Sequence, residues 1–296
     1  MDDSGPDRML WGYWGTSRGK LPPNMILTLI LLLALPQSAD DLVASGVAKK
    51  GKGDLDGAIA DYTKAIEFDP KVWTAYYNRG IARHAKVDLD GALADFTKTL
   101  ELDPKNAGAY LNRGVTRGDK GDHRGAVEDL TKAIELDPKD ARAFSNRGNE
   151  RQATGDLDGA IEDCTKAIEL DPQNAAAFNH RGMARKAKGA LDAAIEDYTK
   201  AVALNPKLTA AWTNRGVAKK VKGDLEGALV DYTKAIETDP KDARLYVNRA
   251  NVRRATNRLD AAIADYEKAL ELAPKKWPYR SAVEEALAKT RQMKKD

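Results

Sequence analysis

Between Leu89 and Leu100 the apolar residues Leu89, Ala92, Leu93, Phe96 and Leu100 recur three and four places apart. At 3.6 residues per turn that spacing paints one side of a helix. A run just before it carries Tyr76, Gly80 and Arg83 at the same spacing and predicts a partner helix. Gly53, Gly121, Gly155, Gly189 and Gly223 fall between such paired runs, where a helix ends in a left-handed residue. Asp54, Asp122, Asp156 and Asp224 follow them and suit N-caps. Two turns depart: Val87 replaces the glycine, predicting a strained or rebuilt turn, and Asn257 replaces it tolerably. A proline closes each pair, at Pro70, Pro104, Pro138, Pro172, Pro206, Pro240 and Pro274, always 34 residues apart.

A fixed period of this size marks a repeat architecture. The text between prolines is nearly constant: Y-x-N-R-G-x-A, then K-G-D-L-D-G-A-I-x-D-Y-T-K-A-I-E-L-D-P. It resembles the tetratricopeptide repeat (TPR) family. With the proline at the family's position 32, repeat 2 supplies Tyr76, Gly80, Ala92, Phe96, Thr99 and Pro104 at the signature positions 4, 8, 20, 24, 27 and 32. Repeat 6 supplies Trp212, Gly216, Ala228, Tyr232, Ala235 and Pro240. Seven units then run over 39–72, 73–106, 107–140, 141–174, 175–208, 209–242 and 243–276, with 1–38 and 277–296 outside. Single units cannot bury their apolar faces, so they must stack on one another. The resemblance implies an all-α solenoid, a right-handed superhelix of helix-turn-helix units, that binds a peptide or protein in its concave groove.

The ends read differently. Met25–Leu35 (MILTLILLLAL) follows Arg18 and Lys20 and precedes Leu-Pro-Gln-Ser-Ala. This is the layout of a secretory signal cleaved after Ala39, and places the protein in the periplasm if it is bacterial. Met9 is an alternative start. The alternatives are an uncleaved membrane anchor over 25–35, the only expected membrane contact, or a cytoplasmic protein. At the other end Trp277, Tyr279, Val283, Ala286 and Leu287 predict a helix capping repeat 7, followed by a basic stretch from Lys289 to Lys295.

Several rows of identical residues run through the repeats. Position 7 holds Arg79, Arg113, Arg147, Arg181, Arg215 and Arg249; position 23 holds Asp61, Asp95, Asp129, Asp163, Asp197, Asp231 and Asp265. Pairing each Asp with the Arg of the next repeat, 18 residues on, leaves only Asp265 unpaired, so inter-repeat bridges such as Asp61–Arg79 and Asp95–Arg113 are expected. Position 6 holds Asn78, Asn112, Asn146, His180, Asn214 and Asn248. The resemblance puts positions 2, 5, 6, 9, 12 and 13 on the groove. An amide there can bond an extended peptide backbone, or equally a neighbouring repeat. Asn149 and Asn251 at position 9, and Lys186 and Lys220 at position 12, join the candidate groove. Basic residues also fill position 11, from Lys49 to Arg253, so an acidic or extended partner is favoured. The family's chaperone-tail carboxylate clamp needs a lysine at position 5 and finds none: the row reads Val43, Tyr77, Leu111, Ser145, Asn179, Thr213 and Val247.

Composition narrows the chemistry. The 296 residues contain one cysteine and three histidines, which excludes a disulfide within the chain or a cysteine zinc cluster and leaves little for a catalytic triad or metal. Cys164, at position 24, reads as a small core residue. His123 at a turn carries no chemistry, and Glu128–Lys132, Glu162–Lys166 and Glu196–Lys200 are spaced as helix-surface pairs. Lys+Arg 48 against Asp+Glu 45 is no nucleic-acid footprint, and aromatics for base stacking are scarce on the groove. The expected function is therefore a non-enzymatic binding scaffold without cofactor or metal. An accessory subunit of an enzyme or assembly complex, and a self-associating structural protein, are the alternatives.

Overall fold

The computed structural model describes residues 38–295. Among these are fifteen helices and no strand. Repeat by repeat they are α1 (Ala39–Gly51) with α2 (Leu55–Phe68), α3 (Trp73–Ala85) with α4 (Leu89–Leu102), and α5 (Ala107–Asp119) with α6 (His123–Leu136). Then come α7 (Ala141–Thr154) with α8 (Leu157–Leu170), α9 (Ala175–Ala187) with α10 (Leu191–Leu204), α11 (Thr209–Val221) with α12 (Leu225–Thr238), and α13 (Ala243–Ala255) with α14 (Leu259–Leu272). A last helix, α15 (Arg280–Met293), follows. The chain divides into two compact units, one ending at Ala75 and one running from Tyr76 onward. From α4 to α15 each helix packs on the next in sequence, and the first helices α5, α7, α9 and α11 also touch in succession. This is an all-α solenoid. The predicted run Met25–Leu35 and the segment before it lie outside the described residues, and no described helix is long and apolar enough to cross a membrane.

The core repeats with the sequence. Ala92, Ala126, Ala160, Ala194, Ala228 and Ala262 are fully buried, as are Tyr198, Tyr232 and Tyr266. The apolar face of each ring drives its burial, against the cost of the Tyr198 and Tyr232 hydroxyls, which are buried without a partner among the described residues. Opposite Tyr198 and Tyr232 the partner helix carries glycine, whereas repeat 7 fits Ala250 against Tyr266. A Cβ on Gly182 would sit 2.7 Å from the Tyr198 ring, so that close approach demands glycine. Ser38 starts α1 by accepting from the Asp41 amide at 3.1 Å. A cut after Ala39 would remove that cap.

The turn at Val87 is strained rather than rebuilt. Its φ is 63°, left-handed like the 91° of Gly155. The bonds match too: Val87 N to His84 O at 2.8 Å and Asp88 N to Arg83 O at 2.9 Å, against Gly155 N to Gln152 O at 3.2 Å and Asp156 N to Arg151 O at 2.9 Å. A β-branched residue is thus held where glycine belongs. Asp88 still caps α4, bonding Gly91 N at 3.0 Å, as Asp54, Asp122, Asp156 and Asp224 cap theirs.

The expected inter-repeat ion pairs are corrected by the coordinates. Each Asp at position 23 pairs with the Arg of its own repeat, 16 residues before it. Arg79–Asp95, Arg113–Asp129, Arg147–Asp163, Arg181–Asp197, Arg215–Asp231 and Arg249–Asp265 all close at 2.7–2.8 Å. The position-11 cation, one turn on, grips the same carboxylate: Arg83, Arg117, Arg151, Arg185, Lys219 and Arg253 at 2.8–3.0 Å. Repeat 1 lacks the arginine, and Asp61 is held by Ser45 at 2.6 Å and Lys49 at 2.7 Å. Burial alone would raise the Asp61 pKa, but these two bonds outweigh it and lower it. Counting orphans at the ends therefore misled, because neither end Asp is an orphan. Stacking still uses the arginine, whose Nη1 reaches back to the preceding repeat's threonine: Arg147 to Thr131 at 3.2 Å and Arg215 to Thr199 at 3.1 Å.

The outer pairs also shift. Lys132 and Lys166 reach Glu135 and Glu169, three residues ahead, rather than the glutamates four behind. At the C-terminus Val283 and Leu287 of α15 pack on Ala250, Ala262 and Tyr266. Trp277 and Tyr279 are not part of that helix; they precede it, with their rings edge to face at 5.6 Å. The basic end is tied down by Lys289–Glu285, Arg291–Glu267 and Lys294–Asp260.

Two outcomes follow from these contacts. Val87→Gly removes a left-handed β-branched residue and should stabilise the protein by about 1–2 kcal/mol; an unchanged urea midpoint would refute the strain. Asp231→Ala strands Arg215 and Lys219 beside a fully buried site and should cost about 3–5 kcal/mol. Calorimetry showing less than about 1 kcal/mol would mean the pair is not structural.

Candidate functional site

Positions 2, 5, 6, 9, 12 and 13 of a first helix fall within about 120° of arc at 3.6 residues per turn, so they share one face. Along that face the position-6 residue is 35 places after the position-5 residue of the preceding repeat, and in three places the two bond. Asn112 donates to the Tyr77 hydroxyl at 3.0 Å and to Gly108 O at 2.9 Å. His180 Nδ1 lies 3.1 Å from Ser145 Oγ and 3.2 Å from Ser145 O. Asn214 donates to Asn179 Oδ1 at 3.0 Å. Asn78 is half-buried and engaged in contacts of its own. Asn146 and Asn248 have no side-chain partner among the described residues. Part of the row stitches repeats together, and part of it is open.

Both position-9 side chains have a partner. Asn149 donates to Glu150 Oε1 at 3.0 Å, and Asn251 accepts from the Tyr266 hydroxyl at 2.7 Å. Position 11 is spent on the aspartates, so the basic face is narrower than its sequence implies. What remains at position 12 is Lys186, Lys220 and Arg254, none with a carboxylate in reach among the described residues, while His84 pairs with Asp119.

Two cavities open on this face. One, about 430 Å³, is walled by Thr209, Ala210, Thr213, Asn214, Asp239, Asp242, Arg244, Leu245 and Asn248. The other, about 460 Å³, lies between α13 and α15 and is walled by Arg244, Val247, Asn248, Asn251, Tyr266, Trp277, Tyr279, Ala282, Val283 and Ala286. Arg244 and Asn248 belong to both, so the two adjoin. Arg244 is bound to Asp242 at 2.7 Å. The structure thus brings Asn214, Asn248 and Asn251 together, and leaves Asn78, Asn112, Asn146, Asn149, His180, Lys186 and Lys220 outside these cavities. Thr209 and Thr213, and the pair Trp277 and Tyr279, were not among the expected site residues; the irregular W-P-Y at 277–279 was the signal for the aromatic pair.

His123 proves to have a role. It stands where other repeats have leucine, and its Nδ1 lies 2.7 Å from Glu150, a buried carboxylate where most other repeats have alanine. Gly118 makes the room: a Cβ there would meet Glu150 Oε1 at 2.7 Å. Cys164 is buried, and burial pushes its pKa up to about 12, so it stays a thiol. Among the described residues no three metal-ligating side chains cluster.

Profiles of the tetratricopeptide repeat match residues 49–87, 107–140, 141–174, 175–208, 209–242 and 243–276. The chain belongs to the TPR family. A TPR protein from Parabacteroides merdae has the same fold, with a TM-score of 0.68 at 22% identity over 86% of this chain and 100% of that one. A chain of the APC/C hetero-tetramer Cut9–Hcn1 superposes with a TM-score of 0.73 at 19% identity over 90% of this chain and 52% of its own. Pseudomonas aeruginosa PilF gives 0.60 at 20% identity over 72% and 97%. Comparison with curated protein sequences gives no match. As a TPR solenoid the chain is a protein-interaction scaffold in the general sense.

One side chain of the TPR face titrates usefully. Burial lowers the His180 pKa, more than its hydrogen bond to the Ser145 carbonyl and the nearby Glu150 charge raise it. The unfolded chain therefore takes up the proton first. The stability held above the ordinary histidine pKa of about 6.5 is lost as pH falls toward the lower folded value. His180→Asn, the residue most other repeats carry, should weaken this dependence. Equal losses of melting temperature between about pH 7.5 and 5 in both proteins would refute it.

Proposed function

We propose that this TPR protein is an exported, non-enzymatic scaffold that holds an extended, acidic peptide or protein segment against the first-helix face of its later repeats. The observation that carries this is a contrast in saturation. From repeat 2 onward the position-7, 11 and 23 rows pair with one another inside each hairpin. Asn146, Asn248, Lys186, Lys220 and Arg254 keep unused donors on one face. Amides bond a peptide backbone without reading its side chains, and unpaired cations favour carboxylates. Export rests on the layout of Met25–Leu35 between Arg18/Lys20 and Leu-Pro-Gln-Ser-Ala.

The test uses an array of acidic and basic peptides of about ten residues each, probed with the full chain. The acidic set should bind, and more weakly as salt rises. Combining Asn146→Ala and Asn248→Ala with Lys186→Glu and Lys220→Glu should weaken binding at least about tenfold, or 1.4 kcal/mol. Unchanged affinity in a variant with wild-type helicity would eliminate this face.

A further inference from the structure

The cavity between α13 and the cap differs from its neighbour. Asp239 and Asp242 line the neighbour, whereas no carboxylate lines this one. Its walls are Val247, Trp277, Val283 and Ala286, and about 460 Å³ is the size range of small-ligand pockets. Asn251 in its lining accepts the Tyr266 hydroxyl at 2.7 Å, which fixes its orientation and leaves its amide donors available. At its rim the Asn248 amide is open, and Arg244 stands on the border with the other cavity. Arg254, near enough to Tyr266 for its charge to be felt there, has no carboxylate partner among the described residues. An apolar hollow with no carboxylate of its own, open amide donors in its lining and the unpaired Arg254 close by selects a bulky uncharged side chain flanked by acids. A cationic segment would be repelled.

We propose that this hollow is the anchor subsite of the groove: it takes one aromatic or long aliphatic side chain from an acidic, extended peptide. The Asn248 amide bonds that peptide's backbone beside the anchor, and its carboxylates face Arg254 and Lys220, which have no carboxylate partner among the described residues. Burying one such side chain stabilises the complex well beyond what solvent-screened ion pairs provide. The assignment rests on the peptide-binding reading above but is separable from it.

The probes are three fluorescein-labelled peptides of about ten residues: Asp/Glu-rich with a central tryptophan, the same with a central alanine, and the tryptophan peptide with lysines for the acids. Anisotropy titration of the full chain should give the acidic tryptophan peptide at least about tenfold tighter binding than either control. Ala282→Trp, placed on an exposed part of the lining, and Ala286→Trp each fill the hollow and should erase the preference for tryptophan while acidic binding persists. If the tryptophan and alanine peptides bind equally, or the preference survives both variants, the anchor is refuted and the groove stands. If no acidic peptide binds, both fall. Light scattering supplies the last outcome: a concentration-dependent mass that Ala282→Trp abolishes would give the hollow to a second copy of the chain and overturn the assignment.

Discussion

The repeat depends on one buried carboxylate. From Asp95 to Asp265, the position-23 aspartate sits at most 5% exposed between two cations a helical turn apart on the facing helix. Desolvating such a charge costs several kcal/mol, and only a close, fully bonded pair offsets it. The arginine is constrained on every side. Its fork takes the carboxylate, its plane lies 4.8–5.8 Å from the aromatic ring at position 4, and in most repeats its remaining nitrogen reaches the preceding repeat's threonine. Small residues bring the two helices together, but they do so equally well in several registers. The ion pair admits one, which is the use of buried charge that specificity arguments favour. Position 7 is arginine here because it serves the hairpin and the stack at once.

The 34-residue period, the helix pairs, the turn residues and the caps were legible because each follows from local chemistry: periodicity, left-handed backbone and side chains that accept amides. The direction of the Arg–Asp pairing was not. Spacings of 16 and 18 both recur with the period, and a one-dimensional count cannot tell a partner in the same hairpin from one in the next. Ser45 and Lys49 show why counting orphans failed, since a polar position left by one residue was filled by two others. The amide row was legible as a row but not as a function. Whether an asparagine is spent depends on what stands at position 5 of the repeat before it: Tyr77, Ser145 and Asn179 accept or share bonds, whereas Leu111 and Thr213 leave Asn146 and Asn248 open.

The same logic explains the central irregularity. Gly118, His123 and Glu150 all depart from their rows, and each departure is explained by the others. A carboxylate replaces a small residue, a histidine replaces the leucine above it, and a side chain disappears to make space. Arg124 follows His123 where other repeats carry an acid, and the Lys–Asp ladder that links Lys120 with Asp90 and Lys188 with Asp158 has no rung from Arg124. Such linked changes are what a stacked array permits, because each interface answers only to its two neighbours.

A repeat protein must present a face that is not consumed by its own stacking, and here the solenoid nearly consumes it. Charge at positions 7, 11 and 23 is internal, and half of the amide row ties helix to helix. Freedom returns toward the C-terminal end for a geometric reason. Among the described residues repeat 7 is followed by the single helix α15, which packs on it, and the turn before that helix departs from the period. Trp277 and Tyr279 enter there, beside Asn248 and Arg244. Regularity makes the scaffold stable and its surface uniform. The place where regularity ends is where a hollow of distinct shape and charge can form without breaking the stack.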